Sequence, residues 1–136
     1  MDFLKSMGIA ATGLRAQAGR MRVISENIAN ADSTAATAGG DPYRRKIPTF
    51  ASELDRELDA RVMKLGRIAQ DRSDFKVKYD PSHPAADASG NVKLPNVNSL
   101  VEMTDLREAQ RSYEANLNVV TATRRMIQRT LDILRA

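Results

Sequence analysis

Residues 103–134 read MTDLREAQRSYEANLNVVTATRRMIQRTLDIL, and their periodicity decides the fold. Counted in alternating steps of three and four, Met103, Leu106, Gln110, Tyr113, Leu117, Val120, Arg124, Ile127, Leu131 and Leu134 fall on one line. Only Gln110 and Arg124 break its apolar character. An uninterrupted three-four alternation is the repeat of a coiled coil, about 3.5 residues, rather than the roughly 3.6 of an ordinary surface helix. No Gly or Pro interrupts the stretch, and Ala, Leu, Arg, Glu and Gln recur in it, so local propensity agrees. The pattern predicts a helix roughly 45–50 Å long. Such a helix is too long to be buried within one domain. Its seam must meet another helix, and the rest must meet solvent or other chains.

A second amphipathic pattern runs from about Phe3 to Ala29. Phe3, Met7, Ala10, Leu14, Met21, Ile24 and Ile28 keep the same spacing, with Gln17 as the exception. Leu4, Ala11 and Ala18 widen the stripe. Asp2 is placed to cap the helix and to favour its positive end. Gly8 and Gly13 weaken it by up to about 1 kcal/mol each relative to Ala, while small residues allow a neighbouring helix to approach.

Between these ends the character changes. Asn27-Ile28-Ala29-Asn30-Ala31-Asp32 stops the first helix, because Asn and Asp side chains compete for backbone groups. The small residues of 35–42, with Gly39-Gly40 and Asp41-Pro42, predict a loop. Tyr43 to Ile47 predicts a short strand ended by Pro48. Phe50 to about Lys64, with Leu54, Leu58, Val62 and Leu65 near helical spacing, predicts a helical or irregular segment. Phe75 to Tyr79 alternates apolar and basic residues as a half-exposed strand does. Asp80 to Asn91 is turn and loop, Val92 to Leu94 a short strand, and Asn98 or Ser99 the cap of the long helix. The expected fold is therefore mainly α. Long N- and C-terminal helices pair as a coiled coil (1–34 and 100–136), and a loop and small extended β-rich segment (35–99) lies between them.

Composition narrows the function. The chain has 136 residues, 4% aromatic and without Trp, so a large conventional core is not expected. It has no Cys, which excludes disulfides and thiolate chemistry. The single histidine, His83, sits in a Ser-His-Pro turn and is expected to be a loop residue. Glu53, Asp55, Glu57 and Asp59 alternate with Arg56 and Arg61, the pattern of a solvated face rather than of an acid-base pair. Gly39-Gly40 lacks a phosphate-binding context. No enzyme, cofactor, metal or small-molecule substrate is expected.

The net charge of +4 and the clusters Arg44-Arg45-Lys46 and Arg124-Arg125 raise the alternative of a basic helical nucleic-acid-binding protein. Glu102, Asp105, Glu108, Glu114 and Asp132 dilute the basic residues of the long helix, and no aromatics interleave with them, which counts against it. No apolar run approaches the roughly 18 residues of a membrane span, and the first helix is not basic enough on its polar face for a membrane-surface helix. Met1 to Ile9 lacks the basic and apolar regions of a secretory signal. Composition alone reads as a soluble, helix-rich, cytosolic protein. Two long helices with little else to cover them favour a structural protein, and head-to-tail contacts that do not close make a helical filament.

The motifs then become specific. Ser25-Glu26-Asn27-Ile28-Ala29-Asn30-Ala31-Asp32 resembles the N-terminal signature of the bacterial flagellar rod and hook family, a long helix ending in SxNIAN. Gly40-Asp41-Pro42-Tyr43-Arg44-Arg45-Lys46, Tyr79-Asp80-Pro81-Ser82-His83-Pro84 and Leu94-Pro95-Asn96-Val97-Asn98 resemble the proximal-rod members of that family. Met103-Thr104-Asp105-Leu106 and Ser112-Tyr113-Glu114-Ala115-Asn116 resemble its C-terminal helix. Other axial proteins place a TPGY-like turn directly after the first motif. Here Thr34 is followed by Ala35-Ala36-Thr37-Ala38 before Tyr43, and the chain is too short for the large middle domain of hook or distal-rod proteins.

The resemblance implies a structural subunit of the basal-body rod, the torque-transmitting shaft of bacterial motility. It implies export, uncleaved, by the flagellar type III apparatus to the periplasmic space. The implied partners are copies of itself, proximal-rod neighbours and the adaptor between rod and export gate. The expected assembly interface is Met7, Leu14, Met21 and Ile28 with Leu106, Tyr113, Leu117, Val120, Ile127 and Leu131. The family motif comprises Asn27, Ile28, Ala29, Asn30, Tyr43, Arg44, Arg45, Tyr79, Asp80, Pro81, His83 and Pro84. Asn27 and Asn30 are expected to act as caps only.

Overall fold

The computed structural model describes residues 2–135, so Met1 and Ala136, the outermost residues of the expected terminal domain, lie outside the described residues. Two long helices, α1 (Phe3–Ala29) and α2 (Ser99–Arg135), flank six short strands. These are β1 (Lys46–Ile47), β2 (Phe50–Asp55), β3 (Ala60–Leu65), β4 (Ala69–Gln70), β5 (Lys76–Tyr79) and β6 (Asn91–Leu94). The strands form three separate two-stranded antiparallel pairs, β1 with β4, β2 with β3, and β5 with β6.

Both helices start where their capping side chains dictate. Asp2 Oδ1 accepts the N–H of Lys5 at 3.0 Å, and Asn98 Oδ1 accepts that of Leu100 at 3.1 Å. These bonds satisfy donors that the first turn of a helix leaves free. At the far end of α1, Asn30 Nδ2 donates back to the Glu26 carbonyl, while the Asn30 carbonyl accepts the Ser33 N–H and hydroxyl. Asn30 is thus the residue that turns the chain out of the helix.

The chain divides into two compact units, residues 1–21, 49–67 and 107–136, and residues 22–48 and 68–106. In the first, Ala10, Ala16, Gln17, Val62, Ala109 and Thr123 are buried. The helices touch there at small residues. A Cβ on Gly13 would sit 2.9 Å from Asn116 Oδ1, Arg20 lies 3.9 Å from Glu108, and Phe3 and Leu4 share a surface hollow with Ile127. Rising numbers in α1 meet falling numbers in α2, so the two run antiparallel. In the second unit the core is Val23, Ile24, Ala85, Val92 and Val97, with Asn27 and Glu102 buried among them.

Phe50 to Lys64, expected to be helical or irregular, is a β-hairpin. Its six cross-strand pairs run from Phe50 opposite Leu65 to Asp55 opposite Ala60. Asp55 explains the outcome. Its Oδ1 accepts the N–H groups of Glu57 and Leu58, an Asx turn that reverses the chain, and Asp59 adopts the left-handed region at φ 44°. Leu58 and Leu65 rest against Gly8 and Gly19 of α1. Of the two glycines expected to weaken α1, Gly8 meets the hairpin, whereas Gly13 faces Asn116 of α2.

The buried side of α2 also departs from the 103–134 line. Leu106, Tyr113, Val120 and Ile127 are half-buried. Their inward companions are Glu102, Ala109, Asn116 and Thr123, not Met103, Gln110, Leu117 and Arg124, which are exposed. The spacing of three and four is kept, but alternate positions fall one residue earlier. The reason is room: Ala109, Asn116 and Thr123 are small enough to lie against a close neighbour, whereas Leu or Met there would hold it off.

Candidate assembly interface

The first motif does more than end a helix. Asn27 is fully buried and uses all of its hydrogen-bonding capacity. Its Nδ2 donates to the Lys46 carbonyl at 2.8 Å and to Glu102 Oε2 at 3.0 Å. Its Oδ1 accepts the Tyr43 hydroxyl at 2.8 Å and the Lys46 N–H at 2.9 Å. The expectation that Asn27 only caps is therefore corrected. The side chain ties α1 to β1, to the loop before it and to α2, because its position on the inward face of α1 points it into the core.

Around it lies a charged network. Glu102, with 1% of its surface exposed, pairs with Arg45 through Nε. Arg45 also reaches Asp71 at 3.5 Å and Asp105 at 3.9 Å, and Lys46 pairs with Glu26. Burial opposes the charge on Arg45, but the hydrogen bond and charge of Glu102, with Asp71, hold its pKa above the usual value. The N–H and hydroxyl of Ser73, followed by Arg45, hold Asp71 below the ordinary carboxylate range. Burial, then the negative charges of Glu26 and Glu102, push the Tyr43 phenol up to about 12.

The other motif residues shape the loops. Arg44 donates to the carbonyls of Asp71 and Ser73 and stacks over Phe75, 4.2 Å from the ring centroid. Asp80 Oδ1 accepts the Ser82 hydroxyl, and the His83 N–H donates to the Asp80 carbonyl. His83 is a loop residue, its Nδ1 accepting the Ala85 N–H at 3.1 Å. Pro81 and Pro84 are exposed. Gly90, at φ +79°, closes this turn where a Cβ would stand 3.0 Å from both Pro81 and Tyr79. Ile28 is half-buried and Ala29 exposed.

The expected interface residues separate into two groups. Met7, Leu14, Met21, Ile28, Leu106, Tyr113, Val120 and Ile127 are half-buried within the chain. Leu117 and Leu131 are exposed at 46% and 43%. With Met103 they repeat at heptad spacing along one flank of the buried side of α2. A second exposed line, Val119, Met126 and Ile133, repeats at the same spacing along the other flank. Reading one seam only missed it, although the same heptad count started from Val119 finds it. The outermost positions of α2, such as Arg107, Arg111, Glu114, Asn118, Arg125 and Asp132, are polar. The helix thus has a filled inner seam and leaves an apolar line exposed on each flank.

Among the described residues no group of three or more acidic or His side chains is placed to hold a metal, and no helix is long and apolar enough to cross a membrane. The family described as flagella basal body rod protein matches residues 7–36. The C-terminal family of the rod proteins FlgE, FlgF and FlgG matches residues 88–133. The flagellar basal-body rod protein FlgC of Agrobacterium fabrum is 54% identical over 94% of this chain and 92% of its own length. The chain belongs to the flagellar basal-body rod protein family. The proteins of the same name in Bacillus subtilis (39% identical, 98% of this chain, 99% of theirs) and Salmonella typhimurium (35%, 98% and 98%) are similar along their whole lengths. The family is a structural one and not an enzyme class. The two matched regions include most of α1 and of α2, the second of which carries the exposed apolar lines. The named relatives are rod proteins and give the nucleic-acid alternative no support.

Proposed function

We propose that this chain is a subunit of the proximal rod, which it builds by packing its terminal helices as coiled coils against copies of itself and neighbouring rod proteins. The observation that carries this reading is the pair of exposed apolar lines flanking the buried side of α2, Leu117 and Leu131 on one flank, Met126 and Ile133 on the other. Burying each such side chain between subunits contributes roughly 1.5–3 kcal/mol, and repetition along a shaft makes it stiff enough to carry torque. In this reading 1–34 and 100–136 form the assembling domain, and 35–99 sets the lateral fit to adjacent subunits. Met7, Leu14, Met21 and Ile28 support α2 from within the chain. The family resemblance supports uncleaved export by the flagellar type III apparatus, a place in the periplasmic part of the basal body, and contact with the adaptor between rod and export gate.

The test is Leu117→Asp in the host bacterium. The expected result is normal export with no completed rod and no motility. Motile cells carrying this variant refute the role of the helix flanks.

A further inference from the structure

The three strand pairs differ in how their outer edges are guarded. Natural sheets protect free edges with very short strands, lysines, prolines or bulges. β1 and β4 are two residues each. β5 carries Lys76 and Lys78. β2 is six residues long, free of Pro and Lys, paired with β3 in unbroken register, and guarded only by the acidic Glu53 and Asp55. Among the described residues its other edge faces no strand. All but the last of its residues are exposed, including Phe50 at 41% and Leu54 at 57%.

β5 is exposed along its whole four-residue length, with Val77 at 64% and Tyr79 at 71%. Within one chain the two strands belong to different sheets. We propose that the free edge of β2 in one copy pairs with the free edge of β5 in the next, making a four-stranded sheet across the subunit boundary. Antiparallel alignment places Glu53 opposite Lys78, Leu54 opposite Val77 and Asp55 opposite Lys76. Directly opposite residues share a face, so one face gains two opposite-charge pairs and the other an aliphatic pair. Lys76 already donates to the Val97 carbonyl and Glu53 accepts Lys64, and both have capacity for a second partner.

The charges also exclude the wrong pairings. Two β2 edges would set acid against acid, and two β5 edges lysine against lysine. Of the pairings between β2 and β5 edges only the unlike one fits, and the contact propagates from copy to copy when each chain makes its two pairings with different neighbours. The proposal rests on the rod-assembly reading and adds a backbone hydrogen-bonded contact to it.

The test uses the natural absence of cysteine. The double variant Leu54→Cys, Val77→Cys replaces the wild-type chain in the host, and motility scores assembly first. Mild oxidation of isolated basal bodies is expected to give a ladder of disulfide-linked dimers and higher species, with neither single variant giving one. Motile cells whose rods yield only monomer overturn the edge contact and leave helix-mediated assembly standing. Failure of the wild-type chain to enter rods overturns the assembly reading itself. On purified full-length chain, Glu53→Lys with Asp55→Lys is expected to weaken self-association roughly tenfold by sedimentation, and Lys76→Glu with Lys78→Glu likewise. Combining all four is expected to restore it. Unchanged association in either reversal, or no restoration in the combination, also overturns the proposal.

Discussion

Asn27 and Glu102, 75 positions apart in sequence, meet through a buried 3.0 Å hydrogen bond between α1 and α2. Arg45 closes the same contact from the loop side. A carboxylate as buried as Glu102 is tolerable only while its partners are present. Arg45→Ala therefore leaves an uncompensated charge and is expected to cost about 3 kcal/mol. Asn27→Ala orphans several partners at once and is expected to cost about 2 kcal/mol. Glu102→Gln, which keeps the shape and removes the charge, should partly rescue Arg45→Ala. Urea denaturation of the single and double variants checks this. Additive losses would show that the three side chains are not coupled.

Much of the fold was legible because it is periodic. The three-four spacing locates both long helices, and Asp2 and Asn98 mark their starts. The Phe50–Lys64 hairpin was not legible, because leucines at 54 and 58 mimic helical spacing while a turn formed by Asp55 decides the local structure. The register of α2 was not legible either. Apolar Met103 and Leu117 draw the eye, but close approach at Gly13 selects the line through Ala109 and Asn116. Asn27, Tyr43 and Arg45 stand out in the sequence as motif residues, but their hydrogen-bonded roles do not. Nothing local to Glu102 distinguishes it from the solvated acids of the same helix, since its partners come from three distant segments.

Tyr43 gives the second unit a built-in alkaline limit. Its phenol is raised to about 12 in the folded chain, first by burial and then by Glu26 and Glu102. An unfolded tyrosine ionises near pH 10. The folded state thus holds the proton more tightly, and the stabilisation is complete below about pH 10 and lost as pH rises towards 12. The wild-type chain should lose stability steeply across that window. Tyr43→Phe, less stable at neutral pH for want of the bond to Asn27, should show a flatter profile. The difference between the two absorbance titrations isolates this phenolate, and a midpoint near pH 10 would mean the hydroxyl is not held as described.

Gln17 interrupts the apolar seam of α1 and is buried, yet its Oε1 has no hydrogen-bond partner among the described residues. An unsatisfied buried carbonyl is costly, whereas an apolar group of similar shape is not. Gln17→Met keeps length and flexibility and is expected to stabilise the chain by about 1 kcal/mol. Thermal and urea unfolding measure it. A loss of stability would mean that Gln17 meets a polar group the isolated chain does not display.

Leu117 and Val120 lie one helical turn apart on α2 and answer to different partners. Val120 is half-buried on the inward side, whereas Leu117 is 46% exposed on a flank. A charge at 120 must be desolvated against α2's neighbours within the chain. Val120→Asp is therefore expected to cost at least about 2 kcal/mol of stability and to abolish assembly as a consequence. A charge at 117 stays in water in the single chain, and Leu117→Asp should change stability by no more than about 0.5 kcal/mol. If the flank is where the next subunit docks, Leu117→Asp should nonetheless block rod assembly as completely as Val120→Asp. Urea midpoints of the purified variants, set beside rod yield in the host, separate the two effects. Equal destabilisation by both would place Leu117 in the fold and remove it from the interface.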